Sequence, residues 1–387
     1  MKLSTSLESM VGSVYVCPRC HVCTYGSWPE NYITCPLYER DKTFTASAGG
    51  LLYLAKAILG NRMEYNEQVA ELAYTCVACG ACDKCTIVRS INPLMALSDI
   101  LRLFRYEFVK RDLVPEGALK RMFDEVKKNG DLLGNGRAKP AEIPATLQDS
   151  KADTLMIVEP LRTENEKKSF DAAVLLLEKM DKRVAFFSEP GSCGSTLYDF
   201  GFWDQMMPVV ENKWKQISDF GKKRLLFLDP HCQEFMTNKY RKIVDGFKGF
   251  KGQHFSELLL DAFKKGTLKS KKGKKIVVSY HDPCFLGRGL GIYDAPRQVL
   301  GYLEGITLVE MKRNREQSFC CGARSLGNYF DNFSEGTAKI RIQEFLDTKA
   351  DVLITACSYC NDIFRKVLGK DAHRVKDLNE FVNEKVG

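Results

Sequence analysis

Fifteen cysteines are spread so unevenly along this 387-residue chain that they constrain it more than any other feature. Eight lie in the first 90 residues, two in the middle at Cys193 and Cys232, and five in the last third. The N-terminal Met1-Lys2-Leu3-Ser4-Thr5-Ser6 is followed by no apolar stretch, so a secretory signal is not expected. The nearest approach to a membrane span, Leu51–Leu59, carries Lys56 and is shorter than the about 18 apolar residues such a helix needs. A cytoplasmic, reducing location is expected, where clustered cysteines more often bind metal than form disulfides.

The first eight cysteines form two similar runs. One reads Cys17-Pro-Arg-Cys20-His-Val-Cys23 with Cys35-Pro36 beyond it, the other Cys76-Val-Ala-Cys79-Gly-Ala-Cys82-Asp-Lys-Cys85. Two-residue gaps let three thiolates wrap one corner of an iron–sulfur cubane while a distant cysteine completes it, and in two-cluster ferredoxins that distant ligand belongs to the other motif. The pattern predicts one [4Fe-4S] cubane on Cys17, Cys20, Cys23 and Cys85, and a second on Cys35, Cys76, Cys79 and Cys82. Local closure, with Cys35 completing its own run, is the alternative. It draws on the short Cys82–Cys85 gap, the absence of a proline after Cys85 and the long Cys23–Cys35 stretch. Zinc also uses Cys-x-x-Cys pairs, but a three-plus-one division in each run suits iron–sulfur better. The formal charge of +8 is weak evidence for a nucleic-acid partner, because each four-thiolate cubane adds about −2.

Apolar residues at 44% and charged residues at 27% exclude a disordered or fibrous chain. Apolar spacing predicts helices over Thr43–Leu59, Glu64–Tyr74, a segment opened by Pro93, and Pro115–Lys128, with no strand before residue 150. Gly134, Gly136, Pro140 and Pro144 break the pattern and mark a linker. Short buried strands then alternate with helices: Thr154–Val158, Val184–Phe187, Leu225–Leu228, Ile276–Ser279, Ile306–Val309 and Val352–Thr355. Such alternation predicts parallel α/β structure. Cys193-Gly194 precedes Cys232 by the same 39 residues that separate Cys321-Gly322 from Cys360, and both pairs are offset by 128. Two homologous halves follow, with the lysine run Lys269–Lys275 as a solvated connector. The expected fold class is α + α/β: a helical two-cluster ferredoxin-like domain over 1–130, a linker over 131–152, and α/β repeats over 153–268 and 269–387.

The last five cysteines read His281-Asp-Pro-Cys284, Cys320-Cys321-Gly322 and Cys357-Ser-Tyr-Cys360. A vicinal pair in a tight turn can send two thiolates to one metal assembly, and Gly322 permits that turn. A structural zinc site with a spare cysteine is the simpler alternative. This pattern resembles the cysteine-rich "CCG" domain family, which includes the B-type and D-type subunits of heterodisulfide reductase. The helical ferredoxin followed by two repeats is similar to the D-type arrangement, a fusion of C-type and B-type parts. The resemblance implies a non-cubane four-iron cluster on Cys284, Cys320, Cys321, Cys357 and Cys360. The first repeat departs from the pattern. Ser192 stands where Cys320 does, Asp229 stands where Cys357 does, and no cysteine lies near Val158-Glu159-Pro160. Losing one cluster shifts the expectation from two-cluster disulfide cleavage to electron relay.

By resemblance, the donor is a flavin-containing, iron–sulfur heterodisulfide-reductase-A-like subunit. The recipient is a catalytic or acceptor subunit, with benzoyl-CoA reductase of the class II (tungsten) complex as one candidate. No nucleic acid and no direct membrane insertion are expected. The alternatives are a thiol–disulfide reductase active site on the C-terminal cluster and a quinone-reactive subunit. No catalytic residue can be singled out. His281 is a candidate hydrogen-bond donor near the cluster, and His231 beside Cys232 reads as part of a turn. His21, Tyr25, Trp28 and Tyr32 read as shielding for the first cubane, and Arg288 and Arg297 as charge compensation or ion pairs. Gly287-Arg-Gly289-Leu-Gly291 fails the dinucleotide-loop spacing because Ile292 occupies its last position, and reads as a close-packed turn.

Overall fold

The computed structural model describes residues 6–25, 32–85, 87, 90, 96–129, 141–187, 192–221, 224–245, 247, 249–323 and 333–387. The helix start read at Pro93, the linker residues Gly134, Gly136 and Pro140, and Trp28 lie outside them.

Among the described residues before 150, helices run over Val11–Tyr15, Pro36–Asp41, Ala48–Leu59, Glu67–Thr75, Leu97–Val109 and Ala118–Asn129. No strand accompanies them beyond an isolated bridge between Tyr25 and Ile33. Caps decide where two of these helices begin. The Ser47 hydroxyl accepts the Gly50 N–H at 3.1 Å, and the Asn66 side chain accepts the Val69 N–H at 3.0 Å. Apolar spacing alone suggests earlier starts, because the residues preceding each cap fit the same periodicity. Leu97–Val109 is buried along its whole length, including Asp99, Arg102, Arg105 and Glu107. A helix this enclosed is a central strut, and its charges must find partners inside the protein.

The rest of the chain builds two four-stranded parallel sheets. The first contains β1 (Thr154–Ile157), β2 (Ala185–Phe187), β3 (Arg224–Phe227) and β4 (Lys251–His254), in the order β2-β1-β3-β4. The second contains β5 (Ile276–His281), β6 (Ile306–Leu308), β7 (Val352–Thr355) and β8 (Val375–Asp377), in the order β6-β5-β7-β8. Register places Leu155 opposite both Ala185 and Leu225, and Tyr280 opposite Ile354. The central strands read as continuous apolar runs because helices cover both faces. The shared strand order is what two halves of one ancestry would give. The edge strands β4 and β8 are additions to the six strands read from sequence.

Three apolar cores tie the parts together. One joins the helical region to the first sheet, packing Tyr74, Phe104 and Phe108 with Phe200, Trp203 and Phe227. A second lies between the sheets and includes Met156, Leu177, Tyr280 and Phe381. The third, around Ile342, Phe345 and Phe364, belongs to the second repeat. In each sheet the chain runs from the middle strand to one neighbour and then crosses to the other side. The crevices beyond the C-terminal ends of β1/β3 and β5/β7 are therefore topological switch points, where open α/β sheets bind ligands. Lys271–Lys275 is exposed, as expected of a connector.

Candidate metal centres

The two N-terminal cysteine loops share an unusual backbone. Arg19 and His21, flanking Cys20, have φ of 60° and 59°; Ala78 and Gly80, flanking Cys79, have φ of 50° and 72°. Alternating handedness of this kind turns successive N–H groups inward and forms a concave nest for anionic sulfur. Backbone N–H groups of Arg19, Ala78 and Ala81 accordingly hydrogen-bond the sulfurs of Cys17, Cys76 and Cys79. None of the fifteen cysteines is in a disulfide.

The thiols gather across the two runs. Burial pushes the Cys17 thiol up, and the neighbouring Cys85 and Cys20 push the same way. Cys23, also raised by burial, has Cys17 and Cys85 as neighbours. Cys35 is raised by burial, with Cys76 and Cys79 foremost among the thiols acting on it, and Cys23 after them. Cys82 is raised by burial, with Asp83, Cys76, Cys23 and Cys79 adding to it. Cys85 thus lies with the first run and Cys35 with the second. Cys23, Cys82 and Cys85 are buried, Cys17, Cys35, Cys76 and Cys79 half-buried and Cys20 exposed; two sets of four soft donors suit iron–sulfur cubanes.

The central helix fixes the second loop. Arg102 bonds the Ala78 carbonyl at 3.1 Å, Ser98 at 2.9 Å and Asp199 at 2.6 Å. Arg105 bonds the Ala73 carbonyl at 3.1 Å, the Asp199 carbonyl at 2.7 Å and the Cys76 carbonyl. Two arginines of one helix thereby clamp the Cys76–Cys85 loop to the first α/β repeat. Asp83 adds a further tie, accepting from the Ser98 N–H and hydroxyl at 2.8 Å each.

The C-terminal five cysteines surround the end of β5 and β7. Cys320 Sγ lies 3.9 Å from Cys284 Sγ, and Cys321 Sγ lies 3.2 Å from Cys360 Sγ. Cys357 neighbours Cys360 and stands at the N-cap position of the helix Ser358–Leu368. The turn requires its glycine. Gly322 has φ of 76°, and a Cβ there would sit 2.8 Å from Thr337 Cβ. Hydrogen bonds from Cys320, Cys360 and His281 hold the Cys321 thiol well below the usual range, against burial. Five converging sulfurs exceed what a single zinc ion takes and fit a larger iron–sulfur assembly.

Cys320 also reaches the N-terminal part, where its thiol lies against Cys79. The Cys320 thiol, with help from Arg288 and against burial, brings the Cys79 thiol down to about 6. Arg288 spans the same junction, donating to the Cys79 carbonyl at 3.0 Å and the Ser318 carbonyl at 2.6 Å. Cys79, Cys284, Cys320 and Phe285 pack in one small apolar cluster. The second N-terminal thiol set and the C-terminal set are therefore neighbours.

The first repeat keeps the scaffold of this site with different side chains. Ser192 Oγ accepts the Gly194 N–H at 3.0 Å, as Cys320 Sγ accepts the Gly322 N–H at 3.4 Å. Gly194 has φ of 88°, matching Gly322. Asp229 stands at the N-cap of the helix Pro230–Asn238 as Cys357 does in its counterpart, but only Asp229 caps with its side chain. The sequence reading of a turn at Asp229-Pro230 is corrected by this cap: proline opens the helix because its missing N–H is not needed there. Cys193 and Cys232 converge on Glu159, with their ligand atoms all within 4.8 Å of one another. The sequence draws attention to Glu159 only through the missing cysteine beside it. Its one positive signal there is its place at a strand end before a proline, matching Asp282-Pro283.

His281 accepts from Arg341 Nε at 3.0 Å and lies against Cys321; it is buried, which holds its imidazole below its usual range. His231 faces Asp229 at 3.3 Å and packs edge-on against Phe285 and Tyr359. His21 lies over Phe44 at 4.3 Å, Tyr25 near Tyr38 at 6.1 Å, and Tyr32 under Lys312 at 4.8 Å. Arg297 is an ion-pair residue, held by Asp282 and Glu310 at 2.6 Å each. The glycine-rich segment is a close-packed π-turn over Phe285–Gly289, where a Cβ on Gly287 would meet the Tyr293 ring at 2.6 Å.

With these thiol sets and their glycine turn in view, residues 278–365 match the cysteine-rich domain (CCG) family, and the chain carries that domain. It is homologous to the D-type subunits of heterodisulfide reductase. The D-type component of the dihydromethanophenazine:CoB–CoM heterodisulfide reductase of Methanosarcina mazei is 26% identical over 335 residues, covering 83% of this chain and 80% of the relative. The Methanosarcina acetivorans counterpart is 32% identical over 172 residues, covering 43% and 42%. The probable iron-sulfur-binding oxidoreductase FadF of Bacillus subtilis is 32% identical over 152 residues, covering 38% of this chain and 21% of that protein. No helix among the described residues is long and apolar enough to cross a membrane.

Proposed function

We propose that this chain is an iron–sulfur electron-transfer subunit of a multi-subunit oxidoreductase. It relays electrons between a flavin-containing, heterodisulfide-reductase-A-like subunit and a catalytic or acceptor subunit, for which benzoyl-CoA reductase is one candidate. Two cubanes, on Cys17, Cys20, Cys23, Cys85 and on Cys35, Cys76, Cys79, Cys82, together with a non-cubane cluster on Cys284, Cys320, Cys321, Cys357 and Cys360, supply the one-electron chemistry. The observation that carries this reading is the contact between Cys79 and Cys320, which joins a ligand of one set to a ligand of another. The chain's own contribution is positional. Its arginines fix the loop, its apolar cluster keeps water from the junction, and Arg288 sets a positive charge beside Cys79, Cys284 and Cys320. The substitutions Ser192 and Asp229 leave the first repeat without a matching thiol set, which speaks against disulfide cleavage between two clusters.

The test is iron per chain and EPR on protein purified without oxygen. Three four-iron clusters give about 12 irons and two cubanes about 8. About 12, with one signal lost in Cys321→Ala and no spectral response to added disulfide, supports the relay. A count near 8, or a spectrum that shifts when a disulfide is added, refutes it.

A further inference from the structure

We infer that the first repeat holds a single divalent metal ion, zinc by its donor chemistry, on Glu159, Cys193 and Cys232. The three residues come from three places around one switch point: Glu159 from beyond β1, Cys193 from the loop after β2, and Cys232 from the first turn of the helix after β3. The cysteines are 1% and 2% exposed. Their ligand atoms and the Glu159 carboxylate all fall within 4.8 Å of one another, and the Cys232 thiol donates to Glu159 Oε1 at 3.6 Å. Zinc–sulfur and zinc–oxygen bonds of roughly 2.3 and 2.0 Å in a tetrahedron place sulfur and oxygen about 3.5 Å apart. The observed separation needs almost no rearrangement.

Each donor is held in place by groups that are not themselves donors. Glu159 Oε1 accepts the Cys193 backbone N–H at 2.7 Å, and the Cys193 carbonyl accepts the Tyr240 hydroxyl at 2.9 Å. Asp229 Oδ1 accepts the Cys232 N–H at 2.8 Å. Such outer bonds orient metal ligands and set their basicity. Two thiolates and a carboxylate carry −3, which a divalent ion reduces to −1. The same set is too poor in sulfur for a four-iron cluster.

A cavity of ≈ 60 Å³ adjoins the site on its Glu159 and Cys232 side, lined also by Asp229, Arg162 and Ser358 among others. One water needs only about 10–15 Å³ on that measure, so the ion's remaining ligand is an exchangeable water. Three protein ligands with one open position is the arrangement of a reactive zinc ion, whereas structural zinc is closed by four.

The experiment uses the full chain with its clusters loaded, equilibrated with zinc alone and washed, with zinc and iron measured per chain. The expected result is one zinc per chain in the parent, none in Cys193→Ser/Cys232→Ser, and at least ten-fold weaker zinc binding in Glu159→Gln, with iron unchanged in all three. Zinc X-ray absorption on the parent protein alone gives a second reading that needs no variant. Two sulfurs and two lighter ligands support the site. Four sulfurs place the zinc in vacated cluster positions, and equal zinc in parent and double variant does the same; either result overturns the proposal, whatever the relay experiments show.

Discussion

Cys320 packs against Cys79 in one small buried cluster, although the two residues stand in different halves of the sequence and different structural layers. The junction between helical region and second repeat is thus lined by cysteines of both proposed metal sites.

Arg288 is the cation of that junction. Replacing it with methionine keeps much of the side-chain volume while removing a charge close to Cys79, Cys284 and Cys320. A lost positive charge makes reduction of a nearby centre harder. Potentials of the adjacent clusters in Arg288→Met are expected to fall by on the order of tens of millivolts, measured by EPR-monitored redox titration. The Cys17 set, which lacks this neighbour, serves as internal control.

Gly322 and Gly291 form a matched pair. Both have positive φ, at 76° and 74°, but a Cβ on Gly322 would crowd Thr337 whereas one on Gly291 would meet nothing within 4 Å. Gly291→Ala is expected to cost about 1–2 kcal/mol, the left-handed penalty alone. Gly322→Ala adds the clash and should also lower iron content by one cluster. Thermal midpoints with iron analysis of both variants separate strain from crowding.

The buried charges around the central helix predict a second asymmetry. Burial alone would raise the Asp99 carboxyl, yet Lys239 and Arg102 outweigh it and hold it at about 2. Lys239 Nζ sits 2.7 Å from Asp99. Asp99→Asn leaves two buried cations undercompensated and is expected to cost about 3 kcal/mol or more. Adding Lys239→Met removes one of those cations and should recover part of the loss, measured by denaturant midpoints in a double-mutant cycle.

His254 should make stability fall on mild acidification. Burial brings its imidazole down to about 4. Its Nδ1 accepts the Ser256 N–H at 3.2 Å while Nε2 donates to the Leu228 carbonyl at 3.2 Å, so both nitrogens are committed in the neutral ring. The unfolded histidine takes up a proton near 6.5 and the folded one does not. Stability contributed at neutral pH is therefore lost between about pH 6.5 and 4, to a total of about 3 kcal/mol. Unfolding midpoints at pH 7.5 and 5.5 should differ less in His254→Asn than in the parent.

The apolar strands are legible in the sequence because each is enclosed on both faces. Leu225, Leu226 and Phe227 are fully buried, and their run is unmistakable. β4 and β8 escape notice because they are short sheet edges, Lys-Gly-Gln-His and Val-Lys-Asp, whose residues alternate little and rest on one neighbour each. The cysteine runs are readable from spacing, since two-residue gaps keep successive thiols on one short loop. The joining of Cys79 to Cys320, and of Glu159 to Cys193 and Cys232, is not. Those meetings depend on how layers stack, and no local pattern encodes that.

The core shared by the helical region and the first repeat bears on how the protein is made. Tyr74, Arg102 and Arg105 complete their contacts only with Phe200 and Asp199, more than ninety residues downstream. The loop from Cys76 to Cys85 lacks its clamp until that segment has left the ribosome. A cluster offered earlier would meet an unformed cradle, so the cradle closes only after the segment carrying Asp199 and Phe200 has been made.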